Sequence, residues 1–172
     1  MIPETNIEFV LEPVDAIERA IEELERFPNF APKMQRRLME DLAVVAFNAA
    51  RQIMVKENIK QSGSMWKNNR MRIEDNGAGR VNAIIGNAAR SAEGFGYPLV
   101  VEKGIAKDYP IPKNPGGKVL SFYWAKLGKR VFFKKVTIKP RPGKYVYKRA
   151  AERALKEAPG ITGRILRKEG FK

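Results

Sequence analysis

The spacing of apolar positions divides the chain into helical and extended stretches. Val14, Ile17, Ile21, Leu24 and Phe27 recur at steps of 3, 4, 3 and 3, the signature of a helix with one buried face. This predicts a first helix over about 13–27, after an extended arm at 1–12, with Pro13 suited to the first turn and Pro28 ending it. A longer helix is expected from about Pro32 to Asn58, with Met34, Leu38, Leu42, Val45, Ala49 and Ile53 on its buried stripe. Ala43, Ala46, Ala49 and Ala50 would let a neighbouring element approach its backbone closely. Gln61–Ser64 breaks this helix, and alternation then predicts a hairpin. Its strands lie near Trp66–Glu74 and Arg80–Asn87, joined through Asp75-Asn76-Gly77-Ala78-Gly79, residues that tolerate positive φ.

Ala88–Gly96 is expected to be a loop, and Tyr97–Val101 fits either a strand or a helical turn. The segment from Pro110 to Gly117, with its three prolines and two glycines, suits no regular element. A second hairpin follows in VLSFYWAKLGKRVFFKKVTIK, rich in aromatic and β-branched residues, with its turn at Leu127-Gly128-Lys129. Tyr147, Ala150, Ala151, Ala154, Leu155 and Ala158 then form the stripe of a third helix, which Pro159-Gly160 is expected to stop. That leaves a basic tail at 159–172, with one more short helix from about Thr162 if a partner surface orders it. The expectation is one α+β domain. A mostly antiparallel sheet from the two hairpins packs against the long helix and the Ala-rich C-terminal helix.

Composition narrows the chemistry. The chain of 172 residues has no His and no Cys, which removes Ser-His-Asp and Cys-His nucleophile pairs, disulfides and the usual zinc sites. The expectation is a non-enzymatic protein with no cofactor and no metal. The carboxylates available to a metal or to acid–base work are Glu74, Asp75, Glu93, Glu102 and Asp108. Glu74 and Asp75 are adjacent beside a turn, and on a strand they point to opposite faces. Glu102 follows an apolar run, and a buried carboxylate paired with a basic residue is its expected role. Gly116-Gly117-Lys118 lacks the spacing, the Ser/Thr and the helix of a phosphate loop. No apolar run is long enough to span a bilayer. The acidic amino terminus is unlike a signal peptide, so a cytosol-like compartment is expected.

The net charge of +14 is concentrated at one end. Residues 1–60 carry 8 basic and 11 acidic groups, residues 61–117 carry 8 and 5, and residues 118–172 carry 17 and 3. Such asymmetry points to a basic face that meets nucleic acid or an acidic protein surface. The second hairpin is its centre, a ribbon bearing Lys126, Lys129, Arg130, Lys134, Lys135 and Lys139, with Arg141 just beyond. These are the candidate contacts to a neighbouring subunit or to DNA. Glu18, Glu22 and Glu25, on the polar side of the first helix, offer a complement on a neighbouring copy. Trp66, Phe122 and Phe132 are expected in the core or in a subunit interface.

The order of these segments resembles the small tail-component proteins of long-tailed bacteriophages, which act in the neck as head-to-tail joining or tail-completion proteins. The similarity runs over roughly Lys33 to Leu155. It rests on Ser62-Gly63-Ser64-Met65 after the long helix, YPLVVEKG with Tyr97, Glu102 and Gly104, Ile111-Pro112-Lys113, the strand Val119-Leu120-Ser121-Phe122, Gly128 at a turn, Pro142-Gly143 at a corner, and the helix from Tyr147 to Leu155. The chain departs from the pattern at Lys67-Asn68-Asn69, at Ile105, and in its Lys139-Pro140-Arg141-Pro142-Gly143 corner. The resemblance implies a structural virion protein in a homo-oligomeric ring at the head–tail junction, assembled in the host cytoplasm. Its implied partners are further copies of itself, other neck, connector or tail-terminator proteins, and non-specifically the passing double-stranded DNA, with no membrane involved. An alternative from the residues alone is a monomeric nucleic-acid-binding module using the basic ribbon at 118–139.

Overall fold

The computed structural model describes residues 7–11, 15–59, 64–75, 81–89, 97–110, 120–124, 127–133 and 137–171. In chain order these form β1 (Ile7–Leu11), α1 (Asp15–Glu25), α2 (Ala31–Lys56), the single turn α3 (Ser64–Lys67), β2 (Asn69–Asp75), β3 (Val81–Asn87) and α4 (Tyr97–Lys103). There follow β4 (Gly104–Ile105), β5 (Tyr109–Pro110), β6 (Leu120–Trp124), β7 (Lys129–Phe133), β8 (Thr137–Ile138), β9 (Arg141–Pro142) and α5 (Val146–Lys168). The fold is α+β, and among the described residues every strand pairing is antiparallel.

Alanine governs the centre. Ala43, Ala46, Ala49 and Ala50 of α2 and Ala150, Ala154 and Ala158 of α5 are all buried in one core, and α2 with α5 is the most extensive pairing of elements. Small side chains allow two helix backbones to approach closely, and larger ones, Leu38, Leu42, Met34 and Ile161, fill the margins. Of the stripe expected on α2, Met34, Leu38, Leu42 and Ala49 are buried, while Val45 and Ile53 are partly so. Pro32 sits in the first turn of α2, where its missing N–H costs nothing, and Asn58 at φ 55° follows the helix end. α1 lays Ile17, Ala20 and Leu24 against the core and borders α5.

The arm enters the sheet. β1 pairs with β3, which also pairs with β2, giving the order β1-β3-β2 with β3 central. Alternation had suggested the hairpin but not the third strand, because the arm's pattern is too short to distinguish a strand from an extended tail. The strand expected from Trp66 begins at Asn69, since Met65 and Trp66 belong to α3 and Met65 is buried in the core. The second hairpin forms a separate two-stranded ribbon, β6 with β7, instead of extending the first sheet. β7 spans Lys129–Phe133, and Thr137–Ile138, expected in the same hairpin, pairs with Tyr109–Pro110, where the stretch expected to be irregular begins. The ambiguous Tyr97–Val101 segment is helical, as part of α4.

The expected stop at Pro159-Gly160 is overturned, because α5 runs through both residues to Lys168. Proline removes one backbone hydrogen bond and crowds the carbonyl four residues earlier. Here Pro159 and Gly160 lie on the exposed side, while Ala158, Ile161, Thr162 and Ile165 continue the buried stripe. Thr162 Oγ1 donates to the Ala158 carbonyl at 3.0 Å. Burial of that second half outweighs the local break, and the residues expected as a basic tail are the end of the helix. Phe171, just beyond it, stacks on Phe27 at 4.0 Å and meets Phe30 edge-on.

Leu42 is fully buried between these layers. Leu42→Ala is expected to destabilise the protein by about 2–5 kcal/mol, measured by urea denaturation, through lost apolar transfer and the cavity left behind.

Candidate functional site

Four of the residues on which the sequence resemblance rests, Glu102, Gly104, Pro142 and Gly143, meet at one backbone crossing. β4 pairs with β9, placing Gly104 opposite Pro142 and Ile105 opposite Arg141. Gly104 has φ +78°, and a Cβ on it would lie 2.4 Å from the Arg141 carbonyl oxygen and the Gly143 nitrogen. A Cβ on Gly143 would fall 2.2 Å from the Glu102 carbonyl oxygen. Two chain segments therefore touch backbone to backbone, which only glycine permits. The Lys144 and Tyr145 N–H groups donate to the Val101 and Glu102 carbonyls at 2.7 and 3.2 Å, fastening the crossing.

The chain then turns into α5 through Tyr145, which holds a left-handed φ of 48° and offers no side-chain cap. α5 has no acidic residue in its first turn. Its cap comes from α4: the Glu102 carboxylate accepts the Tyr147 N–H at Oε2 and the Lys148 N–H at Oε1, both at 3.0 Å. Glu102 is only 2% exposed. Its partners are the positive end of a helix, in place of the basic side chain expected for it, and two charge-assisted hydrogen bonds offset its desolvation.

Tyr147 is held at its other end as well. Its hydroxyl accepts from Asn87 Nδ2 and donates to Asn69 Oδ1, both at 2.9 Å. The two asparagines face each other across the β2–β3 pair, and Asn87 also donates to the Met65 carbonyl at 2.7 Å and accepts the Ala89 N–H at 2.9 Å. One residue thus ties α5 to α4 through its backbone and to the first hairpin through its side chain. Burial holds the Tyr147 hydroxyl well above the ordinary tyrosine range, with the Glu102 charge adding to the effect.

A second tie joins the end of α2 to the start of α5. Glu57 accepts from Arg149 at 2.8 Å and from Lys144 at 3.0 Å. Those two hydrogen bonds, Arg149 first, hold its carboxyl below the ordinary value of 4.5.

The structure separates the ribbon's candidate cations. Lys129 and Arg130 are exposed on β7, opposite Trp124 and Tyr123 in the strand register. Lys139 is ion-paired with Asp108 at 2.8 Å. Arg141, exposed on β9, lies in a groove beside Lys103 and Tyr145. Lys126, Lys134 and Lys135 lie outside the described residues, as does Gly63 among the motif positions. Tyr97 opens α4, Phe122 is central in β6, and Gly128 turns the ribbon at φ +60°. Trp66 is half-buried beneath the Arg51 guanidinium, 4.6 Å from its ring centre. Phe132, expected in the core or in a subunit interface, is 63% exposed on the single chain and so is no part of its core. Among the described residues no cluster of acidic side chains could hold a metal ion, and no helix is long and apolar enough to cross a membrane. No protein-family model, curated protein or solved structure matches the chain.

Glu102→Gln is expected to lower stability by about 1–3 kcal/mol, because the neutral amide forfeits one of two charge-assisted bonds at the helix end. Tyr147→Phe should cost a similar ~1–3 kcal/mol by leaving buried asparagine groups unpaired; chemical denaturation of both variants checks these values. Because the folded-state pKa of Glu57 is depressed, its contribution is full above pH 4.5 and is lost as the pH falls below that value. The stability gap between the wild type and Glu57→Gln, followed by thermal unfolding against pH, should therefore close on acidification.

Proposed function

We propose that the chain is a structural subunit of a homo-oligomeric ring at the head–tail junction of a long-tailed phage, of the head-to-tail joining or tail-completion kind. The observation that carries this reading is the segregation of charge on one fold. α1 presents exposed Asp15, Glu18, Glu22, Glu23 and Glu25 against one exposed base, Arg19, whereas the ribbon, β9 and the start of α5 present exposed Lys129, Arg130, Arg141 and Lys148. A subunit with opposite charges on separate faces is suited to contact its own copies repeatedly, and its remaining basic surface suits a passing polyanion. The resemblance of segment order supports the same reading. So does the absence of His and Cys, which leaves the chain without the commonest catalytic nucleophile–base pairs.

A second reading is favoured by one specific observation. Phe132 is an exposed ring on β7 close in sequence to Lys129 and Arg130, the combination that stacks bases and meets phosphates in single-stranded nucleic acid. In that case the protein is a monomeric binding module.

Mass in solution separates the two. The ring reading expects a mass several times 19.5 kDa by light scattering, diminishing at high salt as charged contacts are screened. A 19.5 kDa particle at every salt concentration, with single-strand binding abolished by Phe132→Ala, would establish the monomeric module in its place.

A further inference from the structure

Beside the glycine crossing lies an open groove of about 390 Å³, walled by Lys103, Ile105, Pro140, Arg141, Pro142 and Tyr145. Its lining is mostly apolar and includes two cations. Neighbouring cations are already engaged, Lys139 with Asp108 and both Lys144 and Arg149 with Glu57. Lys103 and Arg141 form no ion pair with any described residue and are exposed. The Tyr145 ring, 47% exposed, closes one side, with Lys148 Nζ 5.9 Å from its centre. Because the wall is a backbone-to-backbone crossing, the backbone framing the groove is set before anything enters it, and the ordering left to binding is that of the exposed Lys103 and Arg141 side chains.

A mostly apolar lining beside two cations matches a carboxylate on an alkyl stem better than the broad, continuous phosphate surface of duplex DNA. The chain carries such a ligand. Glu18, Glu22 and Glu25 recur at i, i+4 and i+7, a single exposed row on α1, and none of them is ion-paired with a described residue. A subunit cannot place this row in its own groove. Phe27, just after α1, stacks on Phe171 beyond the C-terminal end of α5, whereas Tyr145 stands at its N-terminal end. The 23 residues of α5 put about 35 Å between those ends.

We infer that the groove formed by Lys103, Arg141 and Tyr145 receives the α1 acidic row of a second copy of this chain. The contact is head-to-tail, so each copy has one row and one groove to offer, and repetition gives a ring or an open chain. This inference rests on the ring reading and assigns the two surfaces that would make the ring.

Three full-length variants test it by light scattering at low salt. One is K103E with R141E, another is E18K with E22K, and the third carries all four changes; circular dichroism checks that each is folded. Each double variant should be reduced to a 19.5 kDa monomer. Mixing the two should restore assembly at 1:1 stoichiometry, since the basic row of one fits the acidic groove of the other and the unchanged pair fits too. The four-fold variant should assemble alone. If the wild type forms rings and the double variants do so equally, the groove assignment falls while the ring reading stands. If the double variants are monomeric but neither mixing nor the four-fold change restores assembly, specific pairing of these surfaces is overturned. If the groove reversal removes duplex DNA binding and leaves assembly intact, the groove belongs to nucleic acid. A wild type that is monomeric throughout overturns both readings.

Discussion

The close approach of α2 and α5 through their alanine faces is the constraint on which the other elements depend. Seven alanines of the shared core, divided between the two helices, bring the backbones together, leaving the longer side chains to pack with α1 and the three-stranded sheet. Enlarging any of these alanines would separate the helices and displace both layers at once, since protein interiors have little free volume to absorb added methylenes. The thermodynamic weight lies in this helix pair, with the sheet and α1 covering flanks that would otherwise face water.

Apolar packing brings the helices together but does not by itself select one rotation of α5. The polar contacts at its first turn do. Tyr147 must meet Asn69 and Asn87 with its hydroxyl and Glu102 with its N–H, and these partners come from different elements. A misrotated helix would leave several of these groups buried and unpaired, at a free-energy cost that apolar contacts alone would not impose. The same crossing that delivers Glu102 to the helix end also shapes the groove beside it, so the stability of the domain and the form of its surface share one origin.

The helices α1 and α2 were legible because a 3.6-residue period survives over several turns, and the hairpins because turn-forming residues separate alternating strands. Four features were not. α5 continues past Pro159 because the buried stripe resumes at Ile161 and Ile165, and a local stop signal carries no information about distant burial. Glu102 was recognisable as a buried carboxylate, but its partners are backbone N–H groups 45 and 46 positions later, which leave no residue-type signature. The basic ribbon read as one unit, yet β8 leaves it to pair with β5, a choice set by tertiary pairing. Lys103 carries no signal in the sequence, since a lone lysine in the last turn of a helix gains meaning only when Arg141 is folded back beside it.

The borrowed cap also has a kinetic side. A helix that carries its own capping residue can start anywhere along a folding pathway, but the first turn of α5 has basic residues where the dipole favours acidic ones and waits for Glu102 to arrive from far upstream. That arrival requires the Gly104–Gly143 crossing, a non-local closure that comes at an entropic cost before it is rewarded. The groove is made of the same crossing, so it does not exist on a partly folded chain. On the proposed reading, a chain would acquire its docking surface only when its core is complete, and an immature chain would have no groove with which to enter an assembly.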